Sequence, residues 1–445
     1  MDVAWQVRAF PLVVILLIYL PAACIGQFLF QDESSRGFLI LLLLFSVTYW
    51  FSFPFFARLY RNLVQWLALA GRLSTSHWTV MAYVGLLLYG LVLAYASWLA
   101  PDVPLLVALK GGSLLDIAHA RSQYLAGLKG EESLLRYAVF ILGRAVVPLI
   151  LAAAFITRTR FRYGLMFVLL LLSLLSMEKA GPIFVLLPLV LHFAVGRCWG
   201  RLAGILALLI ASIMLASFLA MGGAAAPVAA GAPVPAVHKD PNMKLPPGMP
   251  IDRAMAPGSR SLLPYYLHER YGEGGYRFVM DSHEGRLTLL LNRIGWVPYI
   301  TAYDWLEFQR IVMEGSTTNG RSINFVHRLY GEPKMHLEKM VYVFEYGASP
   351  GGEGASNTVF FVDAKLAFGW LGALVYCLIF TFCAACIFTS GSRVLIVSSS
   401  VCFIIASVSS LTATLLSGGL FIYVLLSLLL GDPDNRAAGD KEFAR

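Results

Sequence analysis

Residues 287–300 read "LTLLLNRIGWVPYI", and the architecture turns on whether this stretch crosses a bilayer or lies outside one. It is apolar enough to begin a membrane helix. Arg293 stands in its middle and Pro298 follows five residues later. An arginine at mid-bilayer costs roughly 2.5–3.5 kcal/mol on insertion scales, which argues against a span. Asp281 and Glu284 have the spacing of a capping box, so a helix is expected from there. At about 100° per residue, His283, Arg286 and Arg293 fall within about 80° of one another, with Leu287, Leu291 and Ile294 on another side. Pro298 is expected to end the helix. The stretch is thus predicted as an amphipathic surface helix with a basic stripe.

Around it the chain is built for a membrane. Of 445 residues, 58% are hydrophobic and 13% charged, against roughly 25% charged in an average soluble domain. Ten apolar runs are predicted as spans: 10–29, 37–56, 78–100, 136–156, 163–177, 181–196, 202–221, 366–389, 394–414 and 417–430. Lipid offers no partner to a free backbone amide, so the expected fold class is an all-α polytopic membrane protein. The ninth and tenth runs also read as one broken hairpin at Ser417-Gly418-Gly419. All six cysteines (Cys24, Cys198, Cys377, Cys383, Cys386 and Cys402) lie in or beside apolar runs, so no disulfide framework or cysteine metal site is visible. The first run lacks a signal-cleavage pattern and is read as a retained span.

Orientation follows from the Lys and Arg residues of the short connections. With the N-terminus inside, the inner connections hold thirteen of them and the outer ones six. Both termini are therefore expected inside. The net charge of +8 then has a topological origin, and nucleic acid is not implied. Four sections are expected: 1–221 with seven spans, a linker at 222–264, an external helical loop at 265–365, and 366–445 with three spans and a tail. The linker holds nine of the 21 prolines, a composition without a core of its own. Residues 101–135 are predicted to carry an interfacial helix around "GGSLLDIAHARSQYLAGL".

Two familiar catalytic motifs are absent, the phosphate-binding P-loop and the H-E-x-x-H zinc helix. The candidates are instead cations expected at the outer face. Arg293 either pairs with an acid such as Asp304 or Glu307, or with lipid phosphate, or binds the phosphate of a lipid-linked substrate, where its fork and permanent charge suit it. Arg286 shares its stripe. Arg121 either snorkels to headgroups or makes a second anion contact. Lys179 sits in a tight outer turn, as a helix-end charge or a ligand contact. Arg144 lies inside a span, where an ionisable group faces the bundle interior. His327 beside Arg328 offers a base next to a cation. Asp281, Asp304, Glu307 and Asp363 are acids available to orient a hydroxyl. Asp363 is expected to cap the eighth span, and Gly369 and Gly372 to allow close packing there.

Four stretches together resemble the bacterial oligosaccharide repeat-unit polymerases of O-antigen, capsule and exopolysaccharide. They are "DIAHARSQYLAG", "SMEKAGPIFVLLPLVL", "NRIGWVPYITAY" and "SNTVFFVDAKLAFGWLGAL". Lys179 stands where the family often has arginine. The resemblance covers the layout of most of the chain and about 60 residues by motif. It implies a polytopic lipid-dependent glycosyltransferase fold of the GT-C type. The implied activity moves a growing glycan from undecaprenyl diphosphate onto a new lipid-linked repeat unit, at the periplasmic face of the inner membrane. The lipid diphosphate leaves, without metal or cofactor. Arg293, His327 and Asp363 would be catalytic, with Arg121, Arg144, Lys179, Arg286 and Arg328 binding diphosphate or glycan. A flippase and a chain-length regulator would be partners, beside membrane lipids. The O-antigen ligase shares this donor and layout. A transporter of lipid-linked sugars would predict matching halves and charges along a central path, which the chain lacks. A non-catalytic scaffold is a further alternative.

Overall fold

A computed structural model describes residues 8–67, 75–112, 114–126, 133–178, 180–221, 295–331, 333–346 and 355–430. The linker 222–264, the stripe of His283, Arg286 and Arg293, the Asp281–Glu284 cap and Lys179 lie outside them. The described residues form helices and connections, with no strand among them.

In chain order the helices are α1 Phe10–Phe30, α2 Glu33–Leu67, α3 Thr75–Leu99, α4 Pro104–Leu109, α5 Leu114–Ala126, α6 Ser133–Ile141, α7 Val147–Ile156, α8 Arg162–Ser173, α9 Ala180–Val195 and α10 Trp199–Met221. Then come α11 Val297–Ile311, α12 Asn324–Tyr330, α13 Leu337–Tyr346, α14 Phe360–Thr389, α15 Arg393–Ser398, α16 Ser400–Ser407, α17 Leu411–Leu415 and α18 Leu420–Leu430. Among the described residues, six segments are long and apolar enough to cross a membrane: Phe10–Phe30, Glu33–Trp66, Val80–Leu99, Leu134–Ile156, Trp199–Leu219 and Phe360–Thr389. The chain is a polytopic helical membrane protein. The other four predicted spans are shorter apolar helices, Arg162–Ser173, Ala180–Val195, Arg393–Ser407 and Leu420–Leu430. At about 1.5 Å rise per residue, a helix of α8's 12 residues falls short of a hydrocarbon core about 30 Å thick.

Two apolar clusters hold the bundle. In the first, Phe45 of α2 meets Phe360, Phe361 and Phe380 of α14 at ring separations of 5.7, 5.7 and 5.8 Å. The second gathers α3 and α8 to α10 around Leu151, Leu169 and Leu186. Helix α7 is the partition between them. Its Leu149, Ala152 and Ala153 belong to the first cluster, and Ile150, Leu151 and Ala154 to the second. Every residue from Val147 to Phe155 is buried, as expected of a helix apolar on all sides.

Helix α11 docks on the turn between α1 and α2. The Tyr303 hydroxyl donates to the Asp32 carboxylate and the Ser34 hydroxyl to Glu307. Glu307 also holds Arg310 through two hydrogen bonds, of 3.0 and 2.6 Å. Burial, then the bond to Asp32 and the charge of Glu307, push the Tyr303 phenol well above its ordinary range, so it remains a donor.

Pro298 stands in the first turn of α11, where the missing N–H is an orphan anyway; the helix predicted to end at it lies outside the described residues up to residue 294. Two local expectations are corrected. Asp363 lies in the first turn of α14, but the cap position is Val359 and no side chain caps it. Gly369 does more than permit close packing. It takes φ 71° and ψ −161° and breaks α14, a conformation essentially restricted to glycine. The Thr318 and Gly320 amides donate to the carbonyls of Leu366 and Ala367 left open by the break, at 3.0 and 3.1 Å. The predicted ninth span is likewise divided, into α15, α16 and α17, and the turn at Ser417-Gly418-Gly419 separates it from α18.

Candidate functional site: an arginine recess at a π-turn

The site begins with Pro148. An α-helix through this point would need an N–H at residue 148 for the Arg144 carbonyl. Proline has none, and its ring crowds that carbonyl. The chain instead forms a π-turn over Leu142–Val146, in which the Val147 amide bonds to the Leu142 carbonyl. Single π-turns inside helices recur at functional sites. Here the turn carries Arg144 between α6 and α7. Its guanidinium lies over the Phe140 ring at 4.4 Å and nears Phe184 of α9 at 5.9 Å.

The turn is held from behind. The Tyr423 hydroxyl of α18 donates to the Ala145 carbonyl at 2.8 Å. Gly419, at φ +80°, lies so close that a Cβ there would stand 2.3 Å from the Ala145 Cβ. Only glycine fits both the left-handed backbone and this approach.

In front of Arg144 is a recess of about 360 Å³. Arg121 of α5 and Arg136 of α6 line it with Arg144. Tyr124, which also lines it, is bonded to Ser97 of α3 at 2.6 Å, fixing α5 against the bundle. Ser176 and Glu178 enter from the connection between α8 and α9, and Ser417 from the turn before α18. An apolar crevice of about 70 Å³ runs on between α3, α6, α9 and the π-turn, past Leu93, Val139, Phe184 and Val185. Tyr124, Leu125, Phe140, Arg144, Ser176 and Glu178 are common to recess and crevice.

Among the described residues the recess thus holds three arginines and one carboxylate. Among the described residues, Glu178 forms no ion pair within 4.0 Å with any of the three. Arg121 is exposed, whereas Arg136 and Arg144 are half-buried. Guanidinium groups partly withdrawn from water favour an anion able to take charge-assisted bonds from several donors. With the apolar crevice adjoining, the shape suits an amphiphile with a multiply charged anionic head.

Of the candidates read from sequence, the structure brings Arg121 and Arg144 together. Asp363 is buried at the start of α14, His327 is half-buried on α12 and Arg328 is exposed beside it. None of these three lines the recess. Arg286, Arg293 and Lys179 lie outside the described residues. Among the described residues, no cluster of His, Cys, Asp and Glu has the arrangement of a metal site. Arg136 and Glu178 were not singled out by the sequence. For Arg136 a signal was available: Arg136, Phe140 and Arg144 repeat at i, i+4 and i+8, one helical face. No family model matches the chain, no curated protein matches it, and no solved structure matches its fold.

Proposed function

We propose that this protein polymerises undecaprenyl-diphosphate-linked oligosaccharide repeat units by glycosyl transfer at the periplasmic face of a bacterial inner membrane. The observation that carries the reading is the convergence of Arg121, Arg136 and Arg144 on one recess that opens into an apolar crevice. The diphosphate rests against the guanidinium groups and the first part of the polyprenyl chain lies in the crevice. The acceptor hydroxyl attacks the anomeric carbon, and the carbon–oxygen bond to the diphosphate breaks with inversion. The arginines stabilise charge gathering on the leaving diphosphate, where fixed donors in a partly dry site act most strongly.

The reading includes ten spans in a GT-C-like bundle with both termini inside. The thirteen-to-six distribution of basic residues supports that orientation. So does the docking of α11, from the predicted external loop, onto the predicted outer turn at Asp32 and Ser34. In the same frame Arg121, Arg136, Ser176, Glu178 and Ser417 all belong to the outer side. A flippase and a chain-length regulator are the expected neighbours.

The test is reconstitution into vesicles with a synthetic undecaprenyl-diphosphate oligosaccharide as both donor and acceptor. A ladder of products with release of undecaprenyl diphosphate is expected. Vesicles that move the substrate across the bilayer without lengthening it would overturn the reading in favour of transport. Products confined to added lipid A core acceptor would make the protein a ligase.

A further inference from the structure

We infer that Glu178 is the general base of the transfer, taking the proton of the acceptor hydroxyl as the diphosphate departs; this rests on the function proposed above. Among the described residues lining the recess, Glu178 is the one carboxylate. It enters on the connection after α8, while the arginines come from α5, α6 and the π-turn. The arginines and the carboxylate therefore sit on different elements around one space. The Glu178 carbonyl accepts from the Gly181 amide at 3.0 Å, and the Glu178 amide has a longer contact to Ser176 Oγ at 3.4 Å. Its side chain makes no hydrogen bond or ion pair with the described residues, and is available to a ligand.

The charges of the recess fit a proton transfer at this point. Among the described lining residues, three arginines and one glutamate carboxylate sum to +2. A diphosphate esterified at both ends carries one negative charge on each phosphate, which these four groups balance. When the glycosidic bond breaks, the exposed phosphate gains a further charge. If Glu178 has taken the acceptor proton, the recess has become +3 in the same step. The acceptor oxygen gains its bond to carbon, the diphosphate keeps the bonding pair, and Glu178 holds the proton until solvent removes it. No oxidant, reductant or further reactant is required. His327 and Asp363 do not line this space.

The experiment compares wild type, Glu178→Gln, Glu178→Ala and Glu178→Asp in vesicles with the synthetic lipid-diphosphate oligosaccharide. Binding of undecaprenyl diphosphate is measured in parallel. Glu178→Gln and Glu178→Ala are expected to lose about 10²–10⁴-fold in rate, the usual worth of a positioned base. Both should bind undecaprenyl diphosphate at least as well as wild type, because a negative charge has left the recess. Glu178→Asp should keep part of the rate, and formate should restore part of it to Glu178→Ala. A Glu178→Gln protein that polymerises within about threefold of wild type, or whose loss is fully matched by lost binding, overturns the role of Glu178 and leaves the proposed function intact. A wild type that binds the lipid but forms no product overturns both.

Discussion

The hydroxyl of Tyr423 donates a 2.8 Å hydrogen bond to the carbonyl of Ala145, 278 positions earlier in the chain. A π-turn changes which carbonyls find helical partners, and this buried phenol bonds one of them. Tyr423→Phe keeps the ring and removes the donor. The expected loss is about 0.5–1.5 kcal/mol, the net worth of one intramolecular hydrogen bond. Thermal unfolding in detergent measures it. Unchanged stability would mean that the π-turn does not depend on α18.

Pro148 is expected to oppose stability and serve the site. Pro148→Ala restores the N–H and removes a residue that costs a helix interior about 3 kcal/mol. The unfolding midpoint should stay level or rise. A straightened helix would turn Arg144 away from the recess, and polymerisation should fall on the order of 100-fold, the cost of a misplacement of about 1 Å. A variant both stable and fully active would remove the π-turn from the mechanism.

The three arginines should act together. Arg121→Ala, Arg136→Ala and Arg144→Ala each remove a donor of charge-assisted bonds worth about 1.5–3 kcal/mol. Affinity for undecaprenyl diphosphate should fall about 10–100-fold in each. Arg144→Lys keeps the charge but not the planar stack on Phe140, and should lie between. If Arg136→Ala binds like wild type, the recess is not the diphosphate site.

The break in α14 makes a separate claim. Gly369→Ala places a Cβ on a backbone at φ 71° and ψ −161°, with an expected cost of about 1–3 kcal/mol. The Thr318–Leu366 and Gly320–Ala367 bonds should loosen with it. Amide hydrogen exchange at 318–320 reports this. Protection equal to wild type would show that the break survives without glycine.

Orientation is tested by single cysteines in a cysteine-free background. Asp102→Cys, between α3 and α4, should react with an impermeant thiol reagent in intact spheroplasts. Arg160→Cys, between α7 and α8, should react only after lysis. The opposite pattern would invert the chain and place the arginine recess in the cytoplasm.

The helical plan could be read from the chain because lipid forces a local signal. A run that must satisfy its own backbone and face hydrocarbon has to be apolar throughout, so 10–29 became Phe10–Phe30 and 181–196 became Ala180–Val195. Length was legible too: α8, α9 and α18 follow runs that are visibly short in the sequence. The interruptions were harder. Pro148 is plain in the sequence, but proline can kink, break or widen a helix, and the π-turn is settled by Tyr423 and Gly419 packing from the far end of the chain. The break at Gly369 likewise depends on amides from residues 318–320.

The site divides the same way. Composition and hydropathy by themselves determined a polytopic helical protein, and the spacing of charge picked out Arg121 and Arg144, because an arginine near or within an apolar run is costly wherever the run sits. Which cations share a space was decided only by tertiary structure. Arg121, Arg136, Arg144 and Glu178 come from four separate elements, and each alone resembles an ordinary helix-end charge. They form one recess because Tyr124 ties α5 to α3, α6 and the π-turn pack on the same α3, and the connection after α8 closes the space, a distance relationship that no local periodicity encodes.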